Sequence, residues 1–174
     1  MGERQRGRIN ICFFIVFLLL TFGWMIVIYR FSAQQADAST QISRSFGKKI
    51  GQLFIAGFED WEPAAQERFS ERIDYPVRKA AHASEFALLA ILFFGTLKTG
   101  LGGKRFPYFL IAFLASSFYA VTDEWHQIFV PGRSGQAGDV LLDAAGALFG
   151  CIFVQCVLAV YRRRKKSQTD GEIR

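Results

Sequence analysis

Two short blocks hold most of the side chains in this 174-residue sequence that could do chemistry. The first, RKAAHASE at 78–85, spaces Arg78, His82 and Glu85 by four and three, so they stack on one helix face. The second, DEWHQIFVPGRSGQAGDVLLD at 123–143, supplies Asp123, Glu124, His126, Gln127, Arg133, Asp139 and Asp143. Both histidines of the chain fall in these blocks. Imidazole beside carboxylate suits general acid–base work, or a divalent cation such as Zn, Mn or Fe. Arg78, Lys79 and Arg133 offer a fork for a phosphate or carboxylate ligand. The candidates for catalysis are His82, Glu85, Asp123 and His126. Those for binding are Arg78, Lys79, Gln127, Arg133, Asp139 and Asp143. A divalent metal, if one binds, would draw on His82, Glu85, His126 and Asp143. No spacing matches the zincin pattern HExxH, and neither a nucleophile elbow nor a glycine-rich phosphate loop is present. An enzyme and a binding protein both remain open.

The elements that must position these residues are membrane helices. Half the chain is hydrophobic, with 19 Phe, yet it carries 21 Lys and Arg. A soluble domain with that many charges would not collect its apolar residues into blocks about 20 long, whereas a helix crossing about 30 Å of hydrocarbon needs them. Such blocks lie at 9–29, 80–97, 106–122 and 140–161. The sequence therefore predicts an all-α fold, a single domain over 1–174 with four transmembrane helices. The first block exceeds the 7–15 apolar residues of a secretory core, so it reads as a retained anchor despite the ADA at 36–38. The three cysteines, Cys12, Cys151 and Cys156, fall inside spans and read as packing residues.

Charge sets the orientation. Arg4, Arg6 and Arg8 precede the first span, Lys98, Lys104 and Arg105 fill the tight turn between spans two and three, and RRRKK follows the last span. These places share one side of a four-span chain, which puts both termini in the cytoplasm of a multi-pass cell-membrane protein. The net charge of +6 thus serves topology, with membrane lipids as the partner and nucleic acid excluded. The start of span two, the end of span three and the start of span four then share the outer face, where the two blocks converge. Ionisable residues at such depth are a functional hypothesis by default. Gly146 and Gly150 extend the Asp139–Asp143 stripe as a small-xxx-small seam.

Blander roles compete for several of these residues. Lys79 alone reads as an interfacial snorkelling side chain. Asp139 could simply cap span four, although Asp143 is a turn too deep for that. Glu124 and Trp125 point to other faces than Asp123, and the whole cluster could be a structural ion-pair network. The segment 30–79 is too long for a plain connection. Its apolar residues from Ile42 to Phe58 recur every three or four positions, an amphipathic helix for the outer membrane surface or the end of the bundle. A second short helix begins near Pro63, and DYPV at 74–77 is expected to break the chain before span two. The tail from 162 to 174 is a basic cytoplasmic anchor.

At these residues the chain resembles the VanZ-like family of bacterial membrane proteins. The family pattern, R-K-x-x-H-x-x-E-[YF] followed by D-E-x-H-Q-x-[FV]-x-P-x-R-x-x-x-x-x-D-x-x-x-D-x-x-G, falls on Arg78, Lys79, His82, Glu85 and Phe86. It continues on Asp123, Glu124, His126, Gln127, Pro131, Arg133, Asp139, Asp143 and Gly146. The resemblance implies a role in cell-envelope physiology or in tolerance of the glycopeptide teicoplanin. It implies a lipid-linked or lipidated ligand at the outer surface, without an established reaction.

Overall fold

The computed structural model describes residues 3–101 and 106–172. The described residues form five α-helices and no strand: α1 (Glu3–Ser32), α2 (Ala36–Phe54), α3 (Pro63–Leu101), α4 (Phe106–Gln127) and α5 (Ala137–Glu172). A short 3₁₀ turn, Phe58–Asp60, joins α2 to α3. The expected turn at 100–105 falls mostly outside the described residues, as do the side chains of Arg4, Arg6 and Arg8.

Three helices are long and apolar enough to cross a membrane, over Ile11–Ser32, Pro63–Leu101 and Ala137–Lys165. The fourth expected span, 106–122, lies in α4, which does not stand clearly among them. Its last turns carry Asp123, Glu124, His126 and Gln127, which cut its apolar length. At about 1.5 Å per residue, the 39 residues of α3 extend nearly 60 Å, about twice the hydrocarbon thickness. The first half of α3 therefore projects beyond any membrane core, and α2 packs along that half.

Two expectations for residues 30–79 need correcting. The amphipathic helix starts earlier and stops sooner than Ile42–Phe58, because Gly57 adopts φ +73° and turns the chain after Phe54. Phe58 instead fills the turn, packing its ring 5.1 Å from Trp61 and 5.3 Å from Phe69. More important, DYPV does not break the chain: α3 runs straight through Pro76. Proline removes one backbone donor and strains the preceding turn, but contacts on both sides of it offset that loss. Asp74 pairs with Arg78 one turn on, and the Ser43 hydroxyl from α2 donates to the same carboxylate. Arg44 reaches Glu71 at 3.1 Å and Lys48 reaches Glu67 at 2.5 Å, so α2 splints the interrupted stretch.

Beyond Pro76, α3 is the spine of the bundle, packed by α1, α4 and α5. The tightest seam is with α5. A methyl at Gly146 would overlap the carbonyl of Ala83, and one at Gly150 would overlap that of Ala87. On the α1 side, methyls at Gly95 and Gly100 would strike the rings of Phe17 and Phe14. Phe86, Leu89, Ala90, Phe94, Ala112, Ala147 and Cys151 form the buried core, whereas Cys12 and Cys156 are exposed. Among the described residues all three cysteines are free thiols, and only Cys151 is a core packing residue.

Candidate functional site

At one end of the bundle the C-terminus of α1, the middle of α3, the C-terminus of α4 and the start of α5 meet. The loop after α4 sets the geometry. Pro131 and Gly132 occupy the centre of a turn closed by Arg133 N–H donating to Val130 O at 3.1 Å, with Gly132 at φ +77°. Proline before a positive-φ glycine is the type II pattern. It sends Arg133 back over the helix ends. Arg133 Nε donates to Gln34 O at 3.0 Å, Nη2 to Phe31 O at 3.3 Å and Nη1 to Gln127 Oε1 at 3.2 Å. Burial, and then the nearby charge of Arg78, lower this guanidinium from its usual range.

Gln127 passes the connection inward by donating to Asp123 Oδ2 at 3.0 Å, and the Ser32 hydroxyl donates to the same oxygen at 2.7 Å. Ser32 ends α1, so Asp123 ties α4 to α1. Asp123 Oδ1 is buried with no partner. On the other side Lys79 pairs with Asp139, joining α3 to α5. Lys79 is thus held by a partner rather than snorkelling alone, and Asp139 lies within α5 as an ion-pair member. Arg78 pairs with Asp74 and makes no ion pair with Glu85 or Asp143. His82 Nδ1 stands 3.8 Å from Glu85 Oε2, too far for a hydrogen bond. Glu85 Oε2, Asp143 Oδ1 and Arg78 Nε are all buried and unpartnered.

Three cavities meet at His82. The largest, about 430 Å³, is bounded by apolar Phe31, Ile42, Phe46 and Val77, and by Arg78, His82, Glu85 and Arg133. A polar recess of about 170 Å³ holds Arg78, Lys79, His82, Gln127, Arg133 and Asp139. A void of about 10 Å³, room for one water, lies among Lys79, His82, Glu124, Gln127, Asp139 and Asp143. Glu124, set on another face by sequence reasoning, therefore belongs here. It is 6% exposed, and its Oε1 accepts the Gln136 N–H at 2.7 Å. Its neighbour Trp125 is 65% exposed, as an outward aromatic should be. The position of Glu124 directly beside Asp123 gave no periodic signal, because a helix turns 100° between them.

His126 departs furthest from the expected grouping. It turns toward α1, where its ring packs 4.6 Å from the ring of Tyr29, and it lines none of the three cavities around His82. It borders a separate cavity of about 330 Å³ with Tyr29, Tyr119, Thr122, Asp123, Trp125 and Phe129. Among the described residues no three His, Cys, Asp or Glu side chains gather closely enough to hold a metal ion. His82, Glu85, His126 and Asp143 do not form a ligand set in this arrangement.

The VanZ/LLP1 family model matches residues 17–159, which takes in every residue of this site. The chain belongs to the VanZ family. No curated protein and no solved structure matches it. The VanZ match and the three apolar helices together make this a membrane protein.

Proposed function

We propose that this VanZ family protein holds an anionic, lipid-linked or lipidated envelope ligand at the outer face of the cytoplasmic membrane. Its role there is in cell-envelope physiology or teicoplanin tolerance. One observation carries the reading: the 430 Å³ cavity joins apolar walls to two guanidinium groups, Arg78 and Arg133, beside His82 and the single carboxylate Glu85, and the buried Nε of Arg78 has no partner. Pockets of this size accept small ligands, and a guanidinium suits phosphate or carboxylate. The exposed apolar face of α2, including Phe46, Leu53 and Phe54, supports a mouth that opens into lipid.

In this reading α4 is the fourth span. The 22 residues of α4 cover about 33 Å, and its ring contact of Tyr108 with Phe94 sets it alongside the membrane half of α3. Four spans with basic residues at both termini and at Lys98, Lys104 and Arg105 put the cluster outside. His82 and Glu85 would supply an acid and a base if the ligand is also turned over.

The test is lipid analysis of protein purified in mild detergent, comparing wild type with Arg78→Gln. Anionic amphiphiles should copurify with the wild type and fall about tenfold in the variant, the loss of one charge-assisted hydrogen bond. Equal retention by a folded variant would defeat the reading. A second reading, a cluster that only locks the bundle, draws on the donors of Arg133 bound to Phe31 O, Gln34 O and Gln127 Oε1. It requires that Arg133→Gln lower thermal stability while the copurifying lipid is unchanged.

A further inference from the structure

The cavity beside His126 has a character opposite to that of the cationic one. Its lining is aromatic, with Tyr29, Tyr119, Trp125, His126 and Phe129, and its one charged residue is Asp123. Asp123 is 3% exposed, and no ion pair among the described residues includes it. Its Oδ2 accepts from Ser32 and Gln127, leaving Oδ1 buried and unpartnered. His126, which lines the same cavity, also keeps a buried Nε2 without a partner. Two cavity-lining residues thus each keep a buried polar atom unsatisfied, which is costly unless a group reaches in to bond it.

We infer that this cavity binds the primary ammonium headgroup of a membrane aminolipid. A cation beside aromatic faces is attracted by their quadrupoles, and a buried carboxylate supplies the counter-charge. The two orphaned atoms choose between kinds of ammonium. Asp123 Oδ1 accepts a hydrogen bond, and so does His126 Nε2 in the tautomer protonated on Nδ1. A primary ammonium has N–H groups to donate to both, whereas a trimethylammonium has none. The rim chooses the source. Trp125 and, in the turn just after α4, Phe129, 65% and 70% exposed, continue into Phe118 and Val121 on α4, 70% and 50% exposed, an apolar track that suits acyl chains. The two cavities share no lining residue, and the hydrogen-bonded chain Asp123–Gln127–Arg133 runs between them.

Native mass spectrometry of the purified protein tests this with phosphatidylethanolamine, phosphatidylcholine and phosphatidylglycerol of identical acyl chains. Phosphatidylethanolamine should be retained about tenfold over phosphatidylcholine, the worth of one charge-assisted hydrogen bond. Asp123→Asn should abolish that preference. Equal retention of the two lipids, or a preference that survives Asp123→Asn, overturns the proposal. If Asp123→Asn does not fold, Trp125→Leu carries the test, because so exposed a side chain can be cut without emptying the core. Phosphatidylethanolamine retention must then fall, and unchanged retention overturns the proposal. Free ethanolamine is the last arm: competition as strong as that of the lipid would make the ligand a soluble amine and overturn the aminolipid assignment.

Discussion

The Ser32 hydroxyl donates to Asp123 Oδ2 at 2.7 Å, a buried bond between the last residue of α1 and the last turns of α4. These residues are 91 positions apart in the chain. Ser32 is fully buried, so water cannot take over its role. Ser32→Ala should therefore lower the thermal midpoint of the detergent-purified protein, by a loss of about 1–3 kcal/mol. In the Asp123→Asn background the same substitution should cost less, because the two residues share one network. Additive losses in that double-mutant cycle would mean the bond does not stabilise the bundle.

The seam between α3 and α5 gives a second prediction. Gly146→Ala would place a methyl against the Ala83 backbone, which cannot rotate away as a side chain can. Overpacking of that kind costs about 1–3 kcal/mol, and a rigid neighbour puts it at the upper end. Gly138, in the same helix, has nothing within 4 Å of its added methyl. Gly138→Ala should hold or raise the thermal midpoint, since alanine favours a helix by about 0.5–1 kcal/mol over glycine. Similar midpoints for the two variants would show that α3 and α5 do not pack through Gly146.

Why some of this was legible in the sequence and some was not follows from how far each signal reaches. The all-helical fold came from long apolar runs, and the Gly146 seam from a four-residue repeat, both local patterns. Proline at position 76 is a local signal too, but the ion pair and the α2 splint that carry α3 through it are tertiary. His126 and Gln127 are adjacent, yet one faces Tyr29 and the other Arg133. Helix spacing says which residues share a face, but not which neighbouring helix that face meets. Lys79 and Asp139 show the same limit: nothing local pairs residues 60 apart.

That pair supplies a third prediction. Lys79 and Asp139 have side chains 19% and 26% exposed, so their attraction is only partly screened. Lys79→Asp should lower the thermal midpoint by setting like charges on α3 and α5. The swapped double variant, Lys79→Asp with Asp139→Lys, should recover a good part of that loss, roughly 1 kcal/mol or more. No recovery would mean the charges act separately.

The fourth prediction concerns orientation, on which the proposed outer-face role depends. Lys79 and Thr99 lie on one continuous helix, 20 residues or about 30 Å apart, which is the hydrocarbon thickness. If the Lys79 end faces outward, Thr99 must lie at the cytoplasmic boundary. Single cysteines should be introduced at Ser39, Ser134, Thr99 and Ser167, with Cys12, Cys151 and Cys156 replaced by alanine. A membrane-impermeant thiol reagent applied to intact cells should then label Ser39→Cys and Ser134→Cys. Thr99→Cys and Ser167→Cys should react only after the membrane is opened. Ser134 is exposed on the loop that carries Arg133, and Ser39 borders the large cavity, so both report directly on the site. Labelling of Thr99→Cys in intact cells would turn the cluster to the cytoplasm and remove the outer-face proposal. Labelling of both ends would show that α3 does not cross the membrane as a continuous helix.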